Sequence, residues 1–352
     1  MNKNSHNADA GPRRGEKDPL AARPPLRRDP KALHEANSVK MRHTGCSGTG
    51  ARILLVIAMI VVLASATLAR NRVWRDGARL WEDVVEKSPA KARPHYTLGV
   101  YYDKKGRMDE ATREYQTALR LGPDPITDWA HNNLGSIYAK QGRYDEAIHE
   151  FKTALADKPD DASAHTNLGI IYAKQGRMED ALREFQTAIR SDPNDAEAHY
   201  AFGNAYQEQG RPDDAMREYH AALQLRSDYP DAHNNLGLLY GEQGHFAEAI
   251  QEFQAAIKSQ PDSAEAYNNL GIVLAKQGRY DEAIRAFRQA LLHGPENAEV
   301  HKNIGIAYGY QGRLEDAIRE FQTALRIDPG HAGVRNHLES TYKKMRNSRS
   351  VK

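Results

Sequence analysis

The 352-residue sequence contains a single cysteine, Cys46. Neither an intramolecular disulfide nor a cysteine-based metal site can therefore form, and cysteine usage carries no signal about compartment. Charge of one sign is also missing. Lys and Arg number 49 against 47 Asp and Glu, a net charge of +2, which gives no grounds for a nucleic-acid binder or an acidic-ligand trap. There is no Gly-rich phosphate loop, H-E-x-x-H helix or nucleophile elbow, so the chain is expected not to be an enzyme and to need no cofactor and no metal. Long apolar runs are absent except for one. Aromatic residues make up only 8%, and their placement turns out to be periodic.

The near-neutral total hides an uneven distribution. Residues 1–52 carry 11 basic and 5 acidic side chains, leaving 38 basic against 42 acidic in the rest. Stretches such as GPRRGEKDP and ARPPLRRDPK have no apolar periodicity, and 1–52 reads as a disordered basic tail. The one apolar run follows: Ile53 to Ala69, ILLVIAMIVVLASATLA, uncharged and flanked by Arg52, Arg70 and Arg72. As a helix rising about 1.5 Å per residue it spans roughly 25 Å, slightly short of a hydrocarbon core of about 30 Å, a gap that snorkelling arginines and bilayer thinning can close. It is predicted to be a single transmembrane helix. The basic surplus before it places the N-terminus in the cytoplasm and the following residues outside, in the periplasm if the cell is bacterial. The alternative is a signal peptide starting at Met41 and cleaved near Ala66, which would release a secreted protein.

Beyond the span the chain repeats itself. LGSIYAKQGRYDEAIHEFKTALADKP and LGIIYAKQGRMEDALREFQTAIRSDP begin at Leu134 and Leu168, 34 residues apart. Extending this period gives seven repeats, 92–125, 128–161, 162–195, 196–229, 230–263, 264–297 and 298–331, with two extra residues after the first. Glycine holds the eighth position of each, from Gly99 to Gly305, where a side chain would hold two helices apart. Alanine holds the twentieth (Ala111 to Ala317) and the twenty-seventh (Ala118 to Ala324), again permitting close approach. Tyr102, Tyr138, Tyr172, Tyr206, Tyr240 and Tyr308 on a first helix, and Tyr115, Phe151, Phe185, Tyr219, Phe253, Phe287 and Phe321 on a second, lie at core spacing. A glycine ends each first helix (Gly106 to Gly312), and a proline follows most second helices. Each repeat is therefore expected to be a helical hairpin. Ser227 with Pro230 in the fourth, and Leu274 in the tyrosine place of the sixth, are expected to bend the chain locally without loss of fold.

This pattern resembles the tetratricopeptide repeat family. The resemblance implies an all-α, right-handed α-solenoid whose first helices line a concave groove for protein or peptide ligands. Residues 70–91, with Trp74, Trp81 and Pro89, read as a capping half-repeat. Residues 332–345 read as a capping helix with Glu339 facing solvent in the glycine place, and 346–352 as disordered. The junction of span and Trp-rich half-repeat is similar to that in bacterial multi-span glycosyltransferase-like proteins with external tetratricopeptide tails. With 52 residues ahead of the span, the expectation is that sugar transfer does not carry over, though a partnership with such an enzyme does.

The sixth position is asparagine in five repeats, Asn133, Asn167, Asn235, Asn269 and Asn303, and is expected to face the concavity. This row resembles the asparagine ladder of eukaryotic O-GlcNAc transferases, whose amides grip an extended peptide backbone, since an amide both donates and accepts. The competing reading is packing or local hydrogen bonding. Lys104, Lys140, Lys174 and Lys276 at the thirteenth position are read as a solvated face, interrupted by Glu208 and Glu242. Histidine at the fourth position (His95, His131, His165, His199, His233, His301) occurs once per repeat, too sparsely for shared metal ligation, and is read as structural. Function thus resolves to a membrane-anchored scaffold with a peptide-binding groove. The alternative is a substrate-selecting accessory subunit, or non-catalytic remnant, of a membrane glycosyltransferase.

Overall fold

The computed structural model describes residues 58–63, 77–122 and 126–350. The basic tail, most of the apolar run, Trp74 and Pro123 lie outside the described residues. Of the apolar run, 58–63 is helical, and Met59 to Leu63 are each more than half exposed. Among the described residues no helix is long and apolar enough to cross a membrane.

The chain divides into two compact parts within the two-residue insertion, one ending at Ile126 and the other beginning at Thr127. In the first, α1 (Gly77–Lys87) packs on α2 (Ala92–Lys104), which pairs with α3 (Met108–Arg120) as the first repeat. The Tyr102 hydroxyl donates to Glu82 Oε1 at 2.8 Å, which ties α1 to the first repeat. Burial and this bond push the Tyr102 phenol up to about 12.

The second part stacks six more hairpins, α4 (Thr127–Lys140) with α5 (Tyr144–Asp157), α6 (Ala162–Lys174) with α7 (Met178–Ser191), α8 (Ala196–Glu208) with α9 (Pro212–Leu225), α10 (Pro230–Glu242) with α11 (Phe246–Ser259), α12 (Ala264–Lys276) with α13 (Tyr280–His293), and α14 (Ala298–Tyr310) with α15 (Leu314–Ile327). The last helix, α16 (Ala332–Ser350), closes the stack by burying Val334 against the core. Glu339 is exposed there, as a terminal helix requires. The helix runs five residues past its expected end, because KKMRNSRS offers reasonable helix formers and neither glycine nor proline to stop it.

Each hairpin is built on one close approach. A Cβ placed on Gly169 would lie 2.7 Å from Phe185 Cε1, and the equivalent atoms on the other eighth-position glycines fall 2.6 to 2.8 Å from the aromatic of the second helix. The glycine therefore provides the seat for that ring, which is 0–2% exposed in all seven repeats. Gly176 has φ +74° at the end of α6, a left-handed conformation that glycine adopts without a Cβ penalty. The reversal is locked by Arg177 N–H donating to Tyr172 O at 2.8 Å, while the Arg177 guanidinium lies 4.0 Å from the Tyr172 ring centre.

The irregular repeats keep the frame. Pro230 opens α10 at a position where no helical N–H is needed. Leu274 is 4% exposed and fills the tyrosine's core place.

Candidate functional site: the first-helix face

First helices of successive repeats touch one another, α4 with α6, α6 with α8, α10 with α12 and α12 with α14, whereas second helices show no comparable contact. First helices therefore sit on the tighter side of the stack, and what they expose between repeats forms its inner surface. The five asparagines all lie on first helices and are half-buried.

Their geometry adds something the sequence reading did not contain. Asn167 Nδ2 donates to Asn132 Oδ1 at 3.0 Å, Asn235 Nδ2 to Asn204 Oδ1 at 2.9 Å, and Asn269 Nδ2 to Asn234 Oδ1 at 3.0 Å. Each donor thus reaches back one repeat, to the fifth position where that is asparagine and to the ninth where the fifth is Tyr200. The Asn235 amide also lies 3.4 Å from the hydroxyls of Tyr200 and Tyr219. The Asn167 amide also donates to Ser136 Oγ at 3.4 Å, so these N–H groups tie neighbouring repeats together, while the Oδ1 atoms of Asn167, Asn235 and Asn269 make no hydrogen bond. Asn133 makes a contact of its own. Asn303 makes none, although the acceptor it would use, Asn268 Oδ1, is buried and unpartnered. The Asn-Asn doublets at 132–133, 234–235 and 268–269 were the signal that these acceptors were available.

The fourth-position histidines are all accounted for. His95, His131, His165, His199, His233 and His301 each bring Nδ1 to within 2.5–2.7 Å of a second-helix carboxylate, respectively Glu114, Glu150, Glu184, Glu218, Glu252 and Glu320. For His165 the Nε2 also reaches Pro159 O at 3.0 Å, and His95, His199 and His233 have the same arrangement. Ser227 takes the proline's part for His233, through its carbonyl. A ring facing a carboxylate on one side and a carbonyl on the other satisfies both only as the imidazolium, since both ring nitrogens must then donate. Accordingly the hydrogen bonds to Glu184, Glu218 and Glu252 raise His165, His199 and His233 above the usual histidine range, burial opposing. The sixth repeat has Tyr267 and Ala286 in the two places, so histidine and glutamate are exchanged together. That paired exchange was visible in the sequence. Among the described residues no group of three or more His, Cys, Asp or Glu stands close enough to hold a metal ion.

Lys104, Lys140, Lys174 and Lys276 are exposed. A cavity of about 330 Å³ opens between the first helices of the last two repeats, lined by Asn303, Lys276 and apolar side chains.

A stack of Gly-seated helical hairpins defines an α-solenoid. Patterns described as tetratricopeptide repeat match residues 92–158, 132–196, 184–217, 203–244, 235–291 and 270–332, running unbroken over all seven hairpins. The chain belongs to the tetratricopeptide repeat family. It is similar to the protein O-mannosyl-transferase TMTC1 of Mus musculus, 31% identical over 81 residues, and to that of Homo sapiens, 32% identical over 76 residues. These matches cover 22% and 21% of this chain and span 9% of the length of each relative. Among solved structures, that of the APC/C hetero-tetramer Cut9-Hcn1 matches with a TM-score of 0.58 and 20% identity, over 75% of this chain and 52% of that one. Pseudomonas aeruginosa pilF matches with a TM-score of 0.55 and 21% identity, over 62% of this chain and 97% of its own. At these identities the two structures share the fold.

Proposed function

We propose that the chain is a membrane-anchored scaffold whose first-helix face grips an extended segment of a partner protein. The observation that carries this reading is the state of the ladder amides. Asn167, Asn235 and Asn269 are fixed in orientation by their bonds to the preceding repeat, and each keeps its oxygen for a ligand N–H. Preorganised acceptors at repeat spacing suit a peptide backbone, whose N–H groups recur along an extended strand. Recognition of this kind tolerates many sequences. Membrane anchoring through 53–69 is supported by the apolar run and by the exposure of Met59 to Leu63 on helix, apolar area that an aqueous surface does not favour. The solenoid then lies outside the cytoplasmic membrane, tethered by the span.

The match to protein O-mannosyl-transferases favours a second reading, in which the solenoid presents protein substrates to a membrane glycosyltransferase. The test is a photoreactive residue at Asn167 or Asn235 in native membranes, with exposed Gln186 on a second helix as control. Capture from the asparagine sites alone supports the groove, and a captured multi-span transferase or its substrate favours the second reading. Equal capture at Gln186 would move the binding surface elsewhere.

A further inference from the structure

The junction of the last two repeats differs from the others. At the three earlier junctions described, the sixth-position asparagine donates backward and the amide row is closed. Here Asn303 donates to nothing, Asn268 Oδ1 is buried without a partner, and a cavity of about 330 Å³ stands beside Asn303. Its walls are Ile272, Ala275, Ile306 and a pair of tyrosines. Tyr280 and Tyr310 stack with ring centres 5.2 Å apart and planes 1° from parallel, yet Tyr310 is 71% exposed. A solvent-facing ring stacked on another contributes little to the core, and exposed aromatics of this kind are enriched where proteins bind. The single charge on the lining is Lys276, which makes no ion pair; its ammonium lies 6.0 Å from the Phe246 ring centre.

We propose that this cavity is a side-chain pocket, within the groove described above, that takes one bulky apolar residue of an extended partner segment carrying an acidic residue beside it. The assignment rests on the groove reading and adds sequence preference to it. A cavity of roughly 150 Å³ accommodates a benzene ring, so this one has room for a large side chain and part of the backbone bearing it. Asn303, unengaged within the protein, meets that backbone as donor and acceptor. Lys276 supplies the complementary charge for Asp or Glu, and the Tyr280–Tyr310 pair offers a flat face to the apolar side chain.

The experiment is selection of random twelve-residue displayed peptides on the purified full chain, followed by affinity measurement on Tyr310→Ala, Lys276→Glu and Asn167→Ala. Both Tyr310 and Lys276 are exposed, so their replacement leaves the fold intact, which circular dichroism checks. The pocket predicts that selected peptides share an aromatic or large aliphatic residue within two positions of Asp or Glu. It also predicts that Tyr310→Ala weakens them about tenfold or more and that Lys276→Glu removes the acidic preference, while Asn167→Ala weakens peptides regardless of these features. Peptides that bind with loss at Asn167→Ala but no change at Tyr310→Ala and Lys276→Glu would overturn the pocket and leave the groove standing. Failure to select any peptide would overturn both. Self-association of the chain abolished by Tyr310→Ala would assign the pocket to a second copy and overturn the peptide assignment.

Discussion

The histidine–glutamate clamps at His165, His199 and His233 make the stability of the array depend on pH, in a direction the geometry fixes. His165, His199 and His233 are raised above the ordinary histidine value, chiefly by hydrogen bonds to Glu184, Glu218 and Glu252. In the unfolded chain the same rings titrate near 6.5. A raised folded value means that the stabilisation is fully present below about pH 6.5 and is lost as pH rises through the folded value, because the native state holds protons that the unfolded state has released. Within that window each ring contributes up to about 1.4 kcal/mol per pH unit. The three together therefore produce a slope of a few kcal/mol per unit at most. The perturbation is Glu184→Gln with Glu218→Gln and Glu252→Gln, which keeps the shape and a hydrogen-bond acceptor while removing the charge that favours the imidazolium. Urea unfolding at pH 6, 7 and 8 is the assay, since urea, unlike guanidinium, does not screen charge. Hydrogen exchange of individual repeats complements it, because a repeat array need not unfold in one step. Wild type should be more stable at pH 6 than at pH 8, and the triple variant should lose most of that difference. An unchanged slope in the variant would refute the reasoning.

Two glycine substitutions should act in opposite directions. Gly169→Ala drives a Cβ to 2.7 Å from buried Phe185 and should destabilise by about 1–3 kcal/mol, whereas Gly309, also inside a first helix but with nothing within 4 Å of its Cβ position, should gain roughly 0.5–1 kcal/mol as alanine; chemical denaturation of both reads the difference. Copying the sixth repeat's solution into the third, with His165→Tyr and Glu184→Ala together, should be milder than His165→Ala alone, which leaves Glu184 without its partner. A double-mutant cycle showing simple additivity would contradict that coupling. Asn167→Ala removes the bond to Asn132 and should loosen the junction of the second and third repeats by about 1 kcal/mol, seen as faster amide exchange in α4 and α6.

The fold was almost entirely legible because a repeat states each requirement seven times. The eighth-position glycine is the clearest case: recurrence showed that a side chain was excluded, and the structure identifies the ring of the second helix as what excludes it. Histidine was placed correctly as structural, but its partner was not identified, since the two lie 19 residues apart on facing helices and only the joint exchange at Tyr267 and Ala286 hinted at the pairing. The asparagine row was legible as a row and not as a network. Whether Asn167 reaches Asn132 depends on the offset between successive first helices, which no single-helix periodicity encodes. The unfilled junction at Asn268 and Asn303 was invisible for the same reason, because both residues match their counterparts in other repeats and differ only in what the packing lets them reach.

The central claim is that the asparagine row binds polypeptide through its backbone. The most direct measurement is the affinity of a captured or selected peptide, and of versions N-methylated at successive peptide bonds, for wild type and for a chain carrying Asn167→Ala, Asn235→Ala and Asn269→Ala. The account predicts that N-methylation weakens binding to wild type at several bonds and adds little further loss in the triple variant, because the groups it blocks are the ones the amides hold. Equal affinity of the triple variant and wild type, with methylated peptides bound as tightly as the parent, would contradict it and leave the asparagines as links between repeats alone.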